Sequence, residues 1–94
     1  MLHVVEPGTA QAYPIPWRVD RAGGPHPRVT NGGLEAVEHV RVFRSDGATE
    51  RWGRLLPDEA ADVCLCGADL DEVIVTLCWF RPSTGVEYAW RFVM

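Results

Sequence analysis

The stretch from Val73 to Met94 constrains this chain more than any other part of it. It reads Val-Ile-Val-Thr-Leu-Cys-Trp-Phe, breaks at Arg-Pro-Ser-Thr-Gly, and resumes as Val-Glu-Tyr-Ala-Trp-Arg-Phe-Val-Met. Runs rich in β-branched and aromatic residues around a break holding Pro82 and Gly85 predict a β-hairpin with a longer loop. Successive side chains of a strand point to opposite faces, so Val73, Val75, Leu77 and Trp79 share one face of the first strand. On the second, Tyr88, Trp90, Phe92 and Met94 share a face while Glu87 and Arg91 point the other way. The hairpin is therefore read as the core of a β-sandwich.

The rest of the chain supplies the other strands. At 94 residues there is room for one domain and one core. Pro14-Ile15-Pro16 leads into Trp17-Arg18-Val19-Asp20, an entering edge strand with Trp17 and Val19 inward, because proline cannot donate to a ladder. Arg28-Val29-Thr30 is a short strand, and Asn31-Gly32-Gly33 is a turn whose residues tolerate positive φ. Leu34 to His39 is too short for a stable isolated helix, so a strand is expected from about Glu38 to Arg44. Thr49–Leu55 carries Trp52, Leu56-Pro57-Asp58-Glu59 turns the chain, and Ala61, Val63 and Leu65 alternate on one face. Residues 14–94 are thus predicted to form an all-β antiparallel sandwich of about seven strands. Residues 1–13 are expected to be an arm or short edge strand, with Leu2–Val5 as its extended part and Glu6-Pro7-Gly8-Thr9 as a turn.

Three pieces resemble a known pattern. Arg28-Val29-Thr30-Asn31-Gly32-Gly33, followed by Val40-Arg41-Val42, is similar to bacterial immunoglobulin-like and fibronectin-type-III-like domains, where a strand ends at an Asn-Gly-like turn. Leu55-Leu56-Pro57-Asp58-Glu59-Ala60 resembles the Leu-x-Pro-Gly-Glu-Ser turn of such domains, with Asp58 where glycine is usual. Val75 to Phe92 looks like their last two strands. The resemblance covers Trp17 to Met94. It lacks the antibody-type cysteine pair and any Trp within Glu38–Arg44. What it implies is an immunoglobulin-like fold and a binding or spacer role, with no catalytic residue.

The net charge is −4, and all nine basic residues are arginine. Missing lysine is read as codon bias in a GC-rich genome. Six acidic residues and no arginine fall between Asp58 and Glu72, a solvated stretch that speaks against a nucleic-acid surface, which needs clustered positive charge. Arg41, Arg44, Arg51 and Arg54 sit among Asp46 and Glu50, so a mixed surface is expected. The N-terminus has no signal-peptide pattern, and no apolar run is long enough to span a bilayer. With three cysteines and no export signal, free thiols and a cytoplasmic location are expected, with no membrane partner.

Candidate chemistry is sparse. Cys64 and Cys66 share a strand face, and with Cys78 and His39 they are the residues a zinc or redox site would draw on. The paired Cys-x-x-Cys knuckle of structural zinc sites is absent, so packed or free thiols are the preferred reading, with no metal and no cofactor expected. His3, His26 and His39 are far apart in sequence, and His26 between Pro25 and Pro27 reads as an exposed loop. Ser45, Ser83 and Cys78 lie in no nucleophile motif. Asp58, Asp62, Asp69 and Asp71 match no calcium loop, and Gly23-Gly24 and Gly32-Gly33 no phosphate loop. The chain is not expected to be an enzyme.

One surface is more informative. With Val40 and Val42 buried, Arg41 and Phe43 face out, and Thr76, Cys78 and Phe80 share that side with Ala89 and Arg91. If the strands are neighbours, Phe43 and Phe80 with Arg41 and Arg91 make a contact surface of aromatic and arginine side chains. A one-residue bulge would instead return both rings to the core. The functional expectation is an interaction module that binds a protein partner, or a second copy of itself, through that face or an open strand edge. A metal-binding or redox module on Cys64, Cys66, Cys78 and His39 is the alternative.

Overall fold

A computed structural model of the chain describes the backbone of Leu2–His3 and residues 13–94. Its strands in chain order are β1 (Leu2–His3), β2 (Trp17–Asp20), β3 (Arg28–Asn31), β4 (Val37–Arg44), β5 (Thr49–Leu55), β6 (Ala60–Asp62), β7 (Ile74–Arg81) and β8 (Val86–Val93). No helix occurs among the described residues, and none is therefore long and apolar enough to cross a membrane. The turn expected at 6–9 and the extension of β1 through Val5 lie outside the described residues.

The C-terminal hairpin forms as its alternation requires. β7 and β8 pair antiparallel with Val75 opposite Phe92, Leu77 opposite Trp90 and Trp79 opposite Tyr88. The loop is closed by Thr84 N–H and Gly85 N–H, both donating to Arg81 O at 3.2 and 2.8 Å. Gly85 has φ +70°, a left-handed conformation that costs a residue with a Cβ about 1 kcal/mol or more. Here glycine is needed for its backbone.

β7 also pairs with β4, and β4 with β5, giving a four-stranded antiparallel sheet in the order β8-β7-β4-β5; the two-residue β1 adds to β8 in parallel. β2, β3 and β6 form the second antiparallel sheet, with β3 in the centre. The chain therefore changes sheet between β1 and β2, between β3 and β4, between β5 and β6, and between β6 and β7. The fold is the all-β, seven-strand sandwich expected from sequence, with β1 as an eighth short strand.

The inward faces meet through rings. Trp79 is fully buried, and Trp17 of β2 meets it edge-on with centroids 5.4 Å apart. Tyr13 is buried as well: its ring lies 4.7 Å from Tyr88 and its hydroxyl accepts a hydrogen bond from Trp79 Nε1 at 3.3 Å. Val29, Val63 and Leu65 from one side and Val37, Val40, Val42, Val75 and Leu77 from the other fill the space between. An aromatic of this size buries roughly 150–250 Å², so the rings carry much of the hydrophobic stabilisation.

The Asn31-Gly32-Gly33 turn forms for a different reason from the one its sequence suggests. Neither glycine adopts positive φ. A Cβ on Gly33 would lie 3.1 Å from Pro16 Cβ and 3.2 Å from Asn31 Oδ1, and one on Gly32 would lie 2.8 Å from Arg18 Nη1. Close approach to Pro16 and the buried Asn31, not backbone handedness, favours glycine at 33, whereas the contact at 32 is with the mobile tip of Arg18. Asn31 itself is fully buried and fully used. Its Nδ2 donates to Leu55 O and Glu35 O, both at 3.1 Å, and its Oδ1 accepts from Gly33 N at 3.0 Å. The side chain thus ties the end of β3 to the end of β5 in the other sheet.

Asp58 provides the left-handed residue instead, with φ +68°. Glu59 N–H donates to Leu56 O at 3.0 Å, closing a turn of type II form with Pro57 first and Asp58 second. Asp58 N–H and Asn31 O meet at 2.7 Å, and Asn31 N–H and Glu59 O at 2.9 Å, so this turn is stitched to β3.

Candidate functional site

The outward residues of β4, β7 and β8 form one surface, built by register. Phe43 lies opposite Thr76, and Thr76 opposite Arg91. In the next row Arg41 lies opposite Cys78, and Cys78 opposite Ala89; beyond it Glu38 faces Phe80, and Phe80 faces Glu87. Phe43, Phe80, Arg41 and Arg91 are therefore brought to a single sheet face. A bulge does interrupt β4 between Val37 and Arg41, where His39 takes φ 52°. It falls before Phe43, absorbs its extra residue at His39, and leaves Phe43 pointing out with 39% of its surface exposed.

The arginines do not play equal parts. Arg41 is ion-paired to Glu87 across β7, both side chains about one-fifth exposed, and its Nε donates to His39 O at 3.0 Å. Its guanidinium lies 5.7 Å from the Phe80 centroid, and the His39 ring lies 5.8 Å from it on a tilted approach. Phe80 is consequently half covered by its own neighbours. Arg91 and, on β5, Arg51 are exposed and have no ion pair among the described residues. Arg44 leaves the face altogether: it pairs with Asp46 and donates from Nη1 to Cys64 O at 2.8 Å. The four arginines considered together in sequence thus form no continuous basic strip.

Two residues overlooked in the sequence extend the apolar surface. Ile74 and Val93 lie opposite each other at the ends of β7 and β8, and both are exposed. Their position in the alternation, in phase with Phe80 and Arg91, was the available signal. The open apolar area is therefore Phe43, Ile74 and Val93, with Arg91 beside it. Cys78 sits in the middle of the sheet face, where burial pushes its thiol up and keeps it protonated.

The second cluster of chemistry lies on the other sheet. His26, Cys64 and Cys66 have their ligand atoms within 4.8 Å of one another, and His26 Nε2 is 3.2 Å from Cys66 Sγ. Among the described residues no other such group contains a histidine or a cysteine. The set anticipated from sequence, Cys64, Cys66, Cys78 and His39, is therefore not assembled: Cys78 and His39 belong to the β4–β7 face, and the histidine beside the cysteines is His26. A neighbouring row on this sheet pairs Arg28 with Asp62 at 3.0 Å, which holds the Asp62 carboxyl below its usual range.

A groove of about 510 Å³ lies between the segment Tyr13–Pro16 and the turn Gly32–Glu35. One wall is the Arg81–Glu35 ion pair, with the Arg81 guanidinium 4.2 Å from the Tyr13 centroid, and Leu34 at its lip is entirely exposed.

Comparison of the chain with protein-family models, with curated proteins and with solved structures found no match.

Proposed function

We propose that the chain is a noncatalytic interaction module of immunoglobulin-like or fibronectin-type-III-like type, which binds a protein partner through the outer face of β4, β7 and β8. The observation that carries this reading is the exposed group Phe43, Ile74 and Val93 on strands whose other large apolar side chains are buried or half-buried. Contiguous apolar surface rimmed by arginine is characteristic of contact patches. The strand order supports the domain type: β3 pairs with β6 in one sheet and β4 with β7 in the other, so consecutive hairpins interlock across the sandwich.

The chemistry of the face indicates the partner. Arg51 and Arg91 have no ion pair among the described residues, so the complementary surface presents carboxylates beside apolar anchors. A second copy fits less well. A two-fold pairing of identical faces offers only Glu38 and Glu87 as acids, and Glu87 is already held by Arg41. Strand edges are also less suited. β5 is irregular opposite Val40, with Gly53 at that point and Arg51 and Arg54 exposed along it, and β2 is short and preceded by Pro16.

A photo-crosslinking residue placed at 43 in the source cell, with the exposed turn position 56 as control, tests this. The expected product joins position 43 to a different protein at a segment containing Asp or Glu beside apolar residues. With that partner purified, Phe43→Asp and Arg91→Glu each weaken binding at least about tenfold, with melting temperature unchanged. A product joining only copies of this chain would convert the reading to self-association. Equal labelling at 43 and 56 would remove it.

A further inference from the structure

The β3–β6 ladder continues past the ends of its assigned strands. Arg28 faces Asp62 and Val29 faces Ala61; the same register carried toward the turn sets Pro27 against Val63, His26 against Cys64 and Pro25 against Leu65. The backbone follows it: Val63 N–H donates to Pro27 O at 3.0 Å and Leu65 N–H to Pro25 O at 2.8 Å. Each of these pairs would normally exchange two bonds. Proline has no N–H to return, so the ladder is half-made. His26 and Cys64 occupy the position between them, where opposing side chains of an antiparallel pair approach most closely.

Cys66 is placed by a turn. Ala68 N–H donates to Leu65 O at 3.0 Å, and Gly67 has φ +80°, so Cys66 stands at the first central position of a type II turn. Pro27, Val63 and Leu65 are buried around the three outward side chains. Two cysteines and a histidine on a braced backbone, all exposed, are not packing groups. Burial does not explain them, as it does Cys78.

We propose that His26 Nε2 and the Cys64 and Cys66 thiolates bind one Zn²⁺ ion, with solvent in the fourth position. Two thiolates and an imidazole are the donors this soft d¹⁰ cation prefers over the oxygen-seeking Ca²⁺ and Mg²⁺. Bond lengths of about 2.3 Å to sulfur and 2.0–2.1 Å to nitrogen imply ligand atoms roughly 3.5–3.8 Å apart. The observed cluster is within reach of that by rotation of exposed side chains. Binding releases the two thiol protons to solvent and leaves a site of zero net charge. The Arg44 guanidinium, donating to Cys64 O at 2.8 Å, braces the backbone beside the site.

The test uses the full reduced chain, stripped of metal. Zn²⁺ is titrated against a chromophoric chelator, and Co²⁺ is added separately to read thiolate-to-metal charge transfer and the intensity of tetrahedral ligand-field bands. One ion per chain is expected. Cys64→Ser, Cys66→Ser and His26→Ala each weaken binding at least about tenfold, whereas Cys78→Ser and His39→Ala do not. The metal-free melting temperature of all five variants is recorded, and the three ligand variants should match the parent because their side chains are exposed. Zn²⁺ should raise the parent's melting temperature and not theirs. Absence of saturable binding would overturn the proposal. So would dependence on Cys78, or a Cys64–Cys66 disulfide in protein isolated from its source under non-reducing conditions.

Discussion

The outer face of β4, β7 and β8 and the outer face of β3 and β6 are made by the same strand alternation, yet they carry opposite chemistry. The first rests on three strands of eight residues, paired along their length except at the β4 bulge, with apolar and arginine side chains spread over it. The second rests on strands of four and three residues, with a half-made extension braced by two prolines and soft ligands gathered at one end. Long paired strands spread their side chains over a broad area, which suits a contact surface. The short extension of β3 and β6 instead gathers His26, Cys64 and Cys66 at one end. What the faces share is the core beneath them.

That sharing gives the largest expected effect. Trp79→Ala removes the ring that meets Trp17 and Tyr88 and should cost about 3–5 kcal/mol, against a total of roughly 5–15 kcal/mol for a small domain. Denaturant unfolding should show a single, shifted transition in which both faces are lost together. Two separate transitions would break the comparison, since each sheet would then hold its own face.

Asn31→Ala is the next test. It leaves Leu55 O and Glu35 O without the amide donor and should cost about 2–3 kcal/mol. Hydrogen exchange should rise at residues 32–35 and 56–59, while Val63 and Leu65, at the other end of the β3–β6 pair, stay protected. Uniform loss of protection would show that Asn31 supports the whole sandwich and not one end of it.

Smaller effects sharpen the picture. Asp58→Gly relieves a left-handed residue and should stabilise the domain by up to about 1 kcal/mol. The Arg18–Asp58 pair that it removes spans 3.8 Å between exposed side chains, so its loss should hardly register in the melting temperature. The smallest effect is in pH dependence. Asp62 has its folded value lowered by the Arg28 hydrogen bond, so its contribution is present above the unfolded carboxylate value. It is lost as pH falls through the lowered folded one. A carboxyl NMR titration should return Asp62 to the ordinary range in Arg28→Ala, whereas Asp46, held down by Arg44, should not move.

Much of the larger sheet was legible beforehand. The facing of Val75, Leu77, Trp79, Tyr88 and Phe92, the limits of β5 and the outward turn of Phe43 all follow from alternation with a period of two, which is local. The same reasoning missed Ile74 and Val93 because it attended to aromatic residues and neglected the strand ends. It read Asn31-Gly32-Gly33 as residues that tolerate positive φ, whereas neither glycine uses it and Gly33 is held close to Pro16 and Asn31. It also chose His39 over His26 as the partner of the cysteines. His39 is caught in a bulge on one sheet, and His26 reaches Cys66 only because β3 and β6 pair in one particular register.

The order of residues in this chain was enough to dictate strands, turns and which side chains of each strand lie together, because those depend on neighbours one or two positions away. Which strands became neighbours was decided only on folding. The meeting of Arg41 with Glu87, of Tyr13 with Trp79 and of His26 with Cys66 each joins residues 40 or more positions apart. Such meetings depend on sheet order and on the packing of two layers around buried rings, and no local pattern encodes them.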